Sequence, residues 1–223
     1  MPVRAVLFDV DGTLIDSVPL HAQAWIEALE NAGLRFDVET LLGLVGMGGP
    51  KIMTRLIGEA GKAGAARDVP RLQALIFKER FISKAKPFPK VTELLLELAR
   101  RRIRRYLVGT SDREILERYL VRFKLGGLVD SHLCDSDVPE GRPAPDLYLT
   151  ALHRFGLEPH QAVAVGDSPY DVEAARRARL DVVAVLSGGY APRALAGSRL
   201  ILESPAELLA RLDEVLVPGQ AYR

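Results

Sequence analysis

Six short apolar runs, at residues 3–8, 105–109, 128–134, 162–166, 181–186 and 199–202, alternate along this chain with segments whose apolar residues recur every three or four positions. Runs this short and continuous suit strands covered on both faces, because such a strand has no side to give to water. The helix-period segments 91–102, 114–123, 146–155, 170–179 and 205–216 supply the covering layers. The expected fold class is therefore α/β, a Rossmann-like parallel sheet between layers of helices. Gly156 and Pro159, just beyond Phe155, form a helix stop.

One interval breaks the alternation. About eighty residues separate the first run from the helix at 91, whereas a strand-to-helix connection in an α/β unit takes roughly two to six. An inserted domain accounts for the excess, and its content reads as helical. The expected helices are 18–31 closed by Gly33, 38–45 closed by Gly46, 50–58, and 71–85, with the Gly- and Ala-rich tract 58–68 as a loop. Pro87 and Pro89 mark the return to the sheet. The expected organisation is a core of residues 1–16 and 84–223 bearing an all-helical cap of residues 17–83, hinged at Asp16, Ser17 and residues 84–89.

The first and fourth runs end in acids. Asp9 and Asp11, in FDVDGT, are two positions apart, so in extended chain both side chains point into one crevice. Two carboxylates that close repel, and a hard cation such as Mg²⁺ would relieve the repulsion while attracting a phosphate. Gly12 and Thr13 would turn the chain tightly and leave N–H groups for an anion. Alone, this segment also reads as an Asp–Gly turn with local caps. The second segment, AVGDSPYD, places Asp167 at a strand's carboxyl end and Asp171 four residues on, where a helix starting near Ser168 or Pro169 would turn both acids to the same crevice. Asp9, Asp11, Asp167 and Asp171 are the expected metal set.

Bulk properties narrow the class. With 48% hydrophobic and 26% charged residues the chain can bury a large core, and its net charge of +1 offers no field for nucleic acid or an anionic membrane. Five arginines in 99–106 read as the charged end of a helix running into a strand. The single Cys134 excludes a disulfide framework and reads as a buried small residue. A charged leader followed by a long apolar stretch is not evident, so the expected setting is the cytoplasm.

FDVDGTLIDS, the Thr110–Ser111 pair after YLVG, RPAPDLYL and AVGDSPYD together resemble, in order and context, the haloacid dehalogenase-like (HAD-like) hydrolases, and the resemblance extends over essentially the whole chain. Within them the chain looks like the phosphoglycolate phosphatase and beta-phosphoglucomutase branch. The resemblance implies Asp9 as nucleophile and Asp11 as the acid and base, which must hold a proton at the first step. It also implies Asp167 and the main-chain carbonyl of Asp11 as metal ligands with Asp9, Asp171 supporting the metal directly or through water, and Thr110 as donor to a phosphoryl oxygen. Ser111 is a neighbouring candidate or a helix N-cap. The family places Lys before PAPDxY, where this chain has Arg142, a fork rather than a point charge.

Specificity is expected in the cap. His21 reads as a substrate-positioning residue or a packed cap histidine, and Trp25 as cap core. The loop 45–51 resembles the family's substrate loop, with Gly48 and Lys51 as candidate contacts. Val45 and Gly49 stand where the mutases carry basic residues for a second phosphate. The implied activity is a Mg²⁺-dependent phosphatase for a small phosphorylated metabolite, a sugar phosphate or phosphoglycolate-like monoester, from a monomer or weak dimer. A phosphomutase and a catalytically silent binding protein are the alternatives.

Overall fold

The computed structural model describes residues 2–58 and 64–217. Strands β1 (Ala5–Phe8), β4 (Arg104–Val108), β5 (Ser131–Leu133), β6 (Ala162–Gly166), β7 (Asp181–Val185) and β8 (Leu200–Leu202) form one parallel sheet in the order β5-β4-β1-β6-β7-β8. The chain leaves β1 toward β4 and β5, then returns to the other side through β6. The strand order therefore reverses around β1, and a crevice opens there at the carboxyl ends.

Both sheet faces are covered, as the continuous apolar runs require. Val6 and Phe8 point into a layer with α5 (Val91–Arg100) and α6 (Arg113–Arg122), while Ala5 and Leu7 join α7 (Asp146–Phe155) and α8 (Pro169–Arg177) on the other side. Two short helices, α9 (Pro205–Ala210) and α10 (Leu212–Val215), stand where one helix over 205–216 was expected, with Arg211 as the break. The expected strand at 128–134 is shorter because Gly126–Leu128 close a 3₁₀ turn first. Arg100 and Arg101 pair with Glu97, and Arg104 and Arg105 with Asp130, so those four arginines of the 99–106 cluster meet carboxylates.

Between β1 and α5 lie α1 (Val18–Asn31), α2 (Val38–Leu42), α3 (Gly49–Ile57) and α4 (Val69–Ile76), with their own apolar cluster around Trp25, Leu29, Leu41, Ile52 and Met53. Helix α2 ends at Gly43, short of the expected Val45. The middle of the loop expected at 58–68 lies outside the described residues, and Gly64–Asp68 form a 3₁₀ turn. Helix α4 runs on through a π turn, Phe77–Phe81. The chain crosses into and out of this helical unit through two strands the sequence reading missed, β2 (Ile15–Asp16) and β3 (Lys86–Pro87), which pair antiparallel. Two-residue strands carry no alternation to read. No helix among the described residues is long and apolar enough to cross a membrane.

Candidate active site

Asp9 follows β1 and Asp167 follows β6, adjacent strands whose ends face one crevice. Both side chains are buried. Gly12 holds a φ of 86°, and a Cβ there would overlap the Asp167 carboxylate, so only glycine permits this approach. The expectation that the Gly12 and Thr13 amides face an anion is corrected: Gly12 N–H donates to the Ile15 carbonyl at 2.8 Å, and Thr13 N–H to the Val10 carbonyl at 3.3 Å. A turn this tight closes on its own carbonyls. Thr13 acts instead through its hydroxyl, which donates to Asp167 Oδ1 at 2.8 Å.

Asp171 enters from α8. Ser168 and Asp171 form a capping box: Asp171 N–H donates to Ser168 Oγ at 3.2 Å, and Ser168 N–H to Asp171 Oδ2 at 3.1 Å. The other oxygen, Oδ1, meets Arg142 and the Tyr148 hydroxyl. Arg142 is fully buried. Its Nη1 lies 2.6 Å from Asp9 Oδ1 and also contacts Asp171 Oδ1, and its Nη2 donates to the Val108 carbonyl. The Tyr148 ring lies 5.6 Å from the guanidinium carbon, within cation–π range.

Asp9, Asp167 and Asp171 each bring a carboxylate oxygen to a common point, all within 4.8 Å of one another. Three buried acids face one buried guanidinium, leaving an excess of negative charge. Burial first, and then the neighbouring carboxylates, raises Asp9 and Asp167 above the usual range despite Arg142. An all-oxygen set with surplus negative charge fits a hard divalent cation such as Mg²⁺. Because Asp171 is taken up by the capping box and Arg142, Asp9 and Asp167 are the freer donors.

The Asp11 carboxylate turns away from that cluster, a correction to its place as a side-chain member of the metal set. Its oxygens accept from Ser17 Oγ at 2.5 Å, His21 Nε2 at 3.0 Å, Tyr119 Oη at 3.0 Å and Ser111 Oγ. Burial alone would raise this carboxyl. His21 and the bonds from Ser111 and Ser17 outweigh burial and bring it down to about 2. A retained proton was expected here, but four donors around one carboxylate favour its charged form.

Thr110 and Ser111 follow β4 and line a cavity of about 410 Å³ between the sheet and the helical unit. Asp112, not Ser111, caps α6, which frees the Ser111 hydroxyl for Asp11. Asp9, Asp11, His21, Trp25, Val45, Gly49 and Gln73 share the cavity wall. Gly48 and Lys51 do not line it. Lys51 pairs with Glu140 at 3.0 Å, and Gly48 N–H reaches the Arg142 carbonyl at 3.4 Å, so both sit in the seam between the helical unit and the sheet.

Asp135 is wedged into that seam, and a Cβ on Gly48 or on Gly141 would approach its Oδ2 or Oδ1 to 2.6 or 2.5 Å. Its Oδ1 is buried without a hydrogen-bond partner, and burial, offset in part by Arg142 and Lys51, raises its carboxyl from 3.8 to about 6. A carboxyl raised on folding stabilises the fold below its unfolded pKa, and that stability is lost as pH climbs through the folded value. Asp135→Asn is therefore expected to gain on the wild type between pH 4 and pH 8, by on the order of 2–3 kcal/mol at about 1.4 kcal/mol per pKa unit. Denaturant melts of both proteins at the two pH values measure it; a difference independent of pH would sink the assignment.

Two polar groups of the site, Tyr119 and Gln73, were not expected from the sequence, and Tyr148 stood in the PAPDxY segment without a role. Tyr119 and Gln73 are each a single polar side chain on a helix, which carries no local pattern. The Asp171 cap was within reach, because Ser168 and Asp171 have capping-box spacing.

Residues 3–179 match the haloacid dehalogenase-like hydrolase family. The phosphorylated carbohydrates phosphatase of Thermotoga maritima is 31% identical, with 96% of this chain and 100% of the relative covered. The fructose-1-phosphate phosphatase YqaB of Escherichia coli is 30% identical over 81% of this chain and 95% of its own length. Among solved structures, a hydrolase from Pseudomonas syringae superposes with a TM-score of 0.89 at 29% identity, covering 96% of this chain and 99% of that one.

Proposed function

The chain belongs to the haloacid dehalogenase-like hydrolases, and we propose that within them it is a Mg²⁺-dependent phosphatase of a small phosphomonoester, a sugar phosphate or phosphoglycolate-like acid, working through a phosphoryl group carried on Asp9. One observation carries this reading: Asp9, Asp167 and Asp171 gather beside Arg142 at the strand ends, with Asp11 and Thr110 on the wall of the same cavity.

The Asp9 carboxylate attacks phosphorus as the bond to the leaving oxygen breaks, and Asp11 delivers a proton to that oxygen. Asp11 then takes a proton from water, whose oxygen attacks phosphorus and releases phosphate, restoring the Asp9 carboxylate. Asp11 is charged with its four donors in place, so to act as the acid it must exchange some of those bonds for one to the leaving oxygen. Thr110 donates its hydroxyl to a phosphoryl oxygen, and Arg142 holds Asp9 in line. When bound, Mg²⁺ supplies charge to the phosphoryl oxygens and relieves the repulsion between Asp9 and Asp167.

The named substrates of the two sugar-phosphatase relatives favour the sugar-phosphate arm. Val45 and Gly49 line the cavity but bring no charge at the two positions where the mutases carry basic residues, which counts against a mutase, although Arg71, Lys78 and Arg113 stand elsewhere on the same wall. Residues 1–16 and 84–223 act as the catalytic core, and 17–83 as the cap that opens to admit a small phosphorylated metabolite in the cytoplasm. A panel of phosphorylated metabolites assayed with Mg²⁺ should give inorganic phosphate, EDTA should suppress its release by about a hundredfold or more, and added Mg²⁺ should restore it. Release that persists in EDTA would sink the metal assignment, and hexose phosphate interconversion without net phosphate would favour the mutase.

A further inference from the structure

Residues 43–48 join α2 to α3 in the helical unit, and Val45, Gly46 and Met47 from this loop, with Gly49 beyond it, form one stretch of the cavity wall. A helix leaves carbonyls at its carboxyl end with no N–H of its own, and α2 is only five residues long. Two tyrosines outside the helical unit take up those carbonyls. Tyr170 on α8 donates its hydroxyl to the Gly43 carbonyl at 2.6 Å, and Tyr190, in the loop after β7, reaches the Leu42 and Val45 carbonyls at 3.4 and 3.3 Å. The two rings meet edge to face, with centroids 6.4 Å apart and planes at 89°.

The backbone of the loop fits the same surface. Gly46 holds a φ of 106°, and a Cβ there would come within 3.0 Å of Ser168 Oγ and 3.5 Å of the Tyr170 ring, so the loop lies against the start of α8. That helix start carries Asp171 and directly follows Asp167. One wall of the cavity is thus placed by the same turn that places two of the three clustered acids.

We propose that Tyr170 and Tyr190 are positioning residues for substrate binding: their hydroxyls hold the 43–48 loop in place, so that this wall of the pocket is formed before the phosphomonoester arrives. Neither hydroxyl bonds to Asp9, Asp11, Thr110 or Arg142, so both tyrosines act on the site through the loop. The kinetic consequence rests on the phosphatase reading; the placement of the loop does not.

Tyr170→Phe with Tyr190→Phe keeps both rings and deletes both donors. A neutral hydrogen bond of this kind changes an equilibrium constant by roughly two- to tenfold, and apparent affinity falls with the fraction of protein whose loop is in place. In the double variant, KM for a phosphomonoester that the wild type turns over is expected to rise about three- to tenfold, with kcat within about twofold of the wild type. Hydrogen exchange in substrate-free protein reads the loop directly. The amides of Leu44, Val45 and Met47, each bonded to a carbonyl three or four residues back, should exchange about tenfold faster in the double variant, while those of β1 stay protected.

Unchanged exchange over the loop overturns the proposal. So does a lower melting temperature with KM unchanged, which leaves the tyrosines a packing pair, and so does a fall in kcat alone, which places them in the chemistry instead. Faster exchange in a protein that releases phosphate from no member of the metabolite panel refutes the phosphatase reading and leaves the placement of the loop standing.

Discussion

Asp9→Asn is expected to lower phosphate release by about 10⁴-fold or more while leaving the fold intact, the size of loss seen when a covalent nucleophile is removed from a preorganised site. The amide is nearly isosteric with the carboxylate, and its oxygen can still accept from Arg142 Nη1, now 2.6 Å from Asp9 Oδ1. Burial and nearby carboxylates already push the Asp9 carboxyl upward, so removing its charge relieves Asp167 and Asp171. The melting temperature without metal should therefore hold or rise. That pairing of a dead enzyme with a stable fold separates a lost nucleophile from a broken structure. Steady-state phosphate release and thermal melts give the two halves, and acid-quenched protein should retain labelled phosphate in the wild type only. Turnover near the wild-type rate in Asp9→Asn would mean that another group attacks.

What the sequence disclosed, and what it hid, follows from how far apart the interacting groups lie. Asp9 and Asp167 were legible because each stands at the end of a continuous apolar run, and the sheet order then brings β1 beside β6. The helical insertion was legible from the length of its interval alone. The surroundings of Asp11 were not: two of its donors, Ser17 and His21, come from the start of α1, and the other two, Ser111 and Tyr119, from the segment after β4, which reaches Asp11 only after folding. The Gly12–Thr13 turn misled for a related reason. Its glycine announced a tight turn correctly, but the residue types do not say whether the freed amides close on their own carbonyls or wait for a ligand. Lys51 likewise had the right charge near the right loop, and Glu140, distant in sequence, claimed it.

Arg142→Met should be nearly as damaging to turnover as loss of the nucleophile, and unlike that change it should also unsettle the fold. The guanidinium is fully buried and one of its nitrogens, Nη1, serves Asp9 and Asp171 together, while Nη2 satisfies the Val108 carbonyl. Removing one partner of a buried ion pair leaves uncompensated charge and costs roughly 3–5 kcal/mol. At about 2–4 °C per kcal/mol for a chain of this size, the melting temperature should fall by roughly 10 °C. Turnover should fall by about 10³-fold, because the carboxylate that attacks is no longer held or charge-balanced. Mg²⁺ should raise the melting temperature of Arg142→Met more than that of the wild type, since a bound cation offsets the same surplus charge.

Arg142→Lys is the sharper test, because it restores the residue usual in this family. A lysine ammonium can reach Asp9 and Asp171 from one point, but it is a single donor centre and cannot also fork to the Val108 carbonyl. A charge-assisted bond of that kind is worth about 1.5–3 kcal/mol. The expected outcome is a fold less stable by about that amount and turnover lowered by about tenfold. A large gain in turnover on introducing lysine would instead mean that arginine impairs the native site, and that the bonds around Arg142 are a packing accommodation rather than part of the machinery.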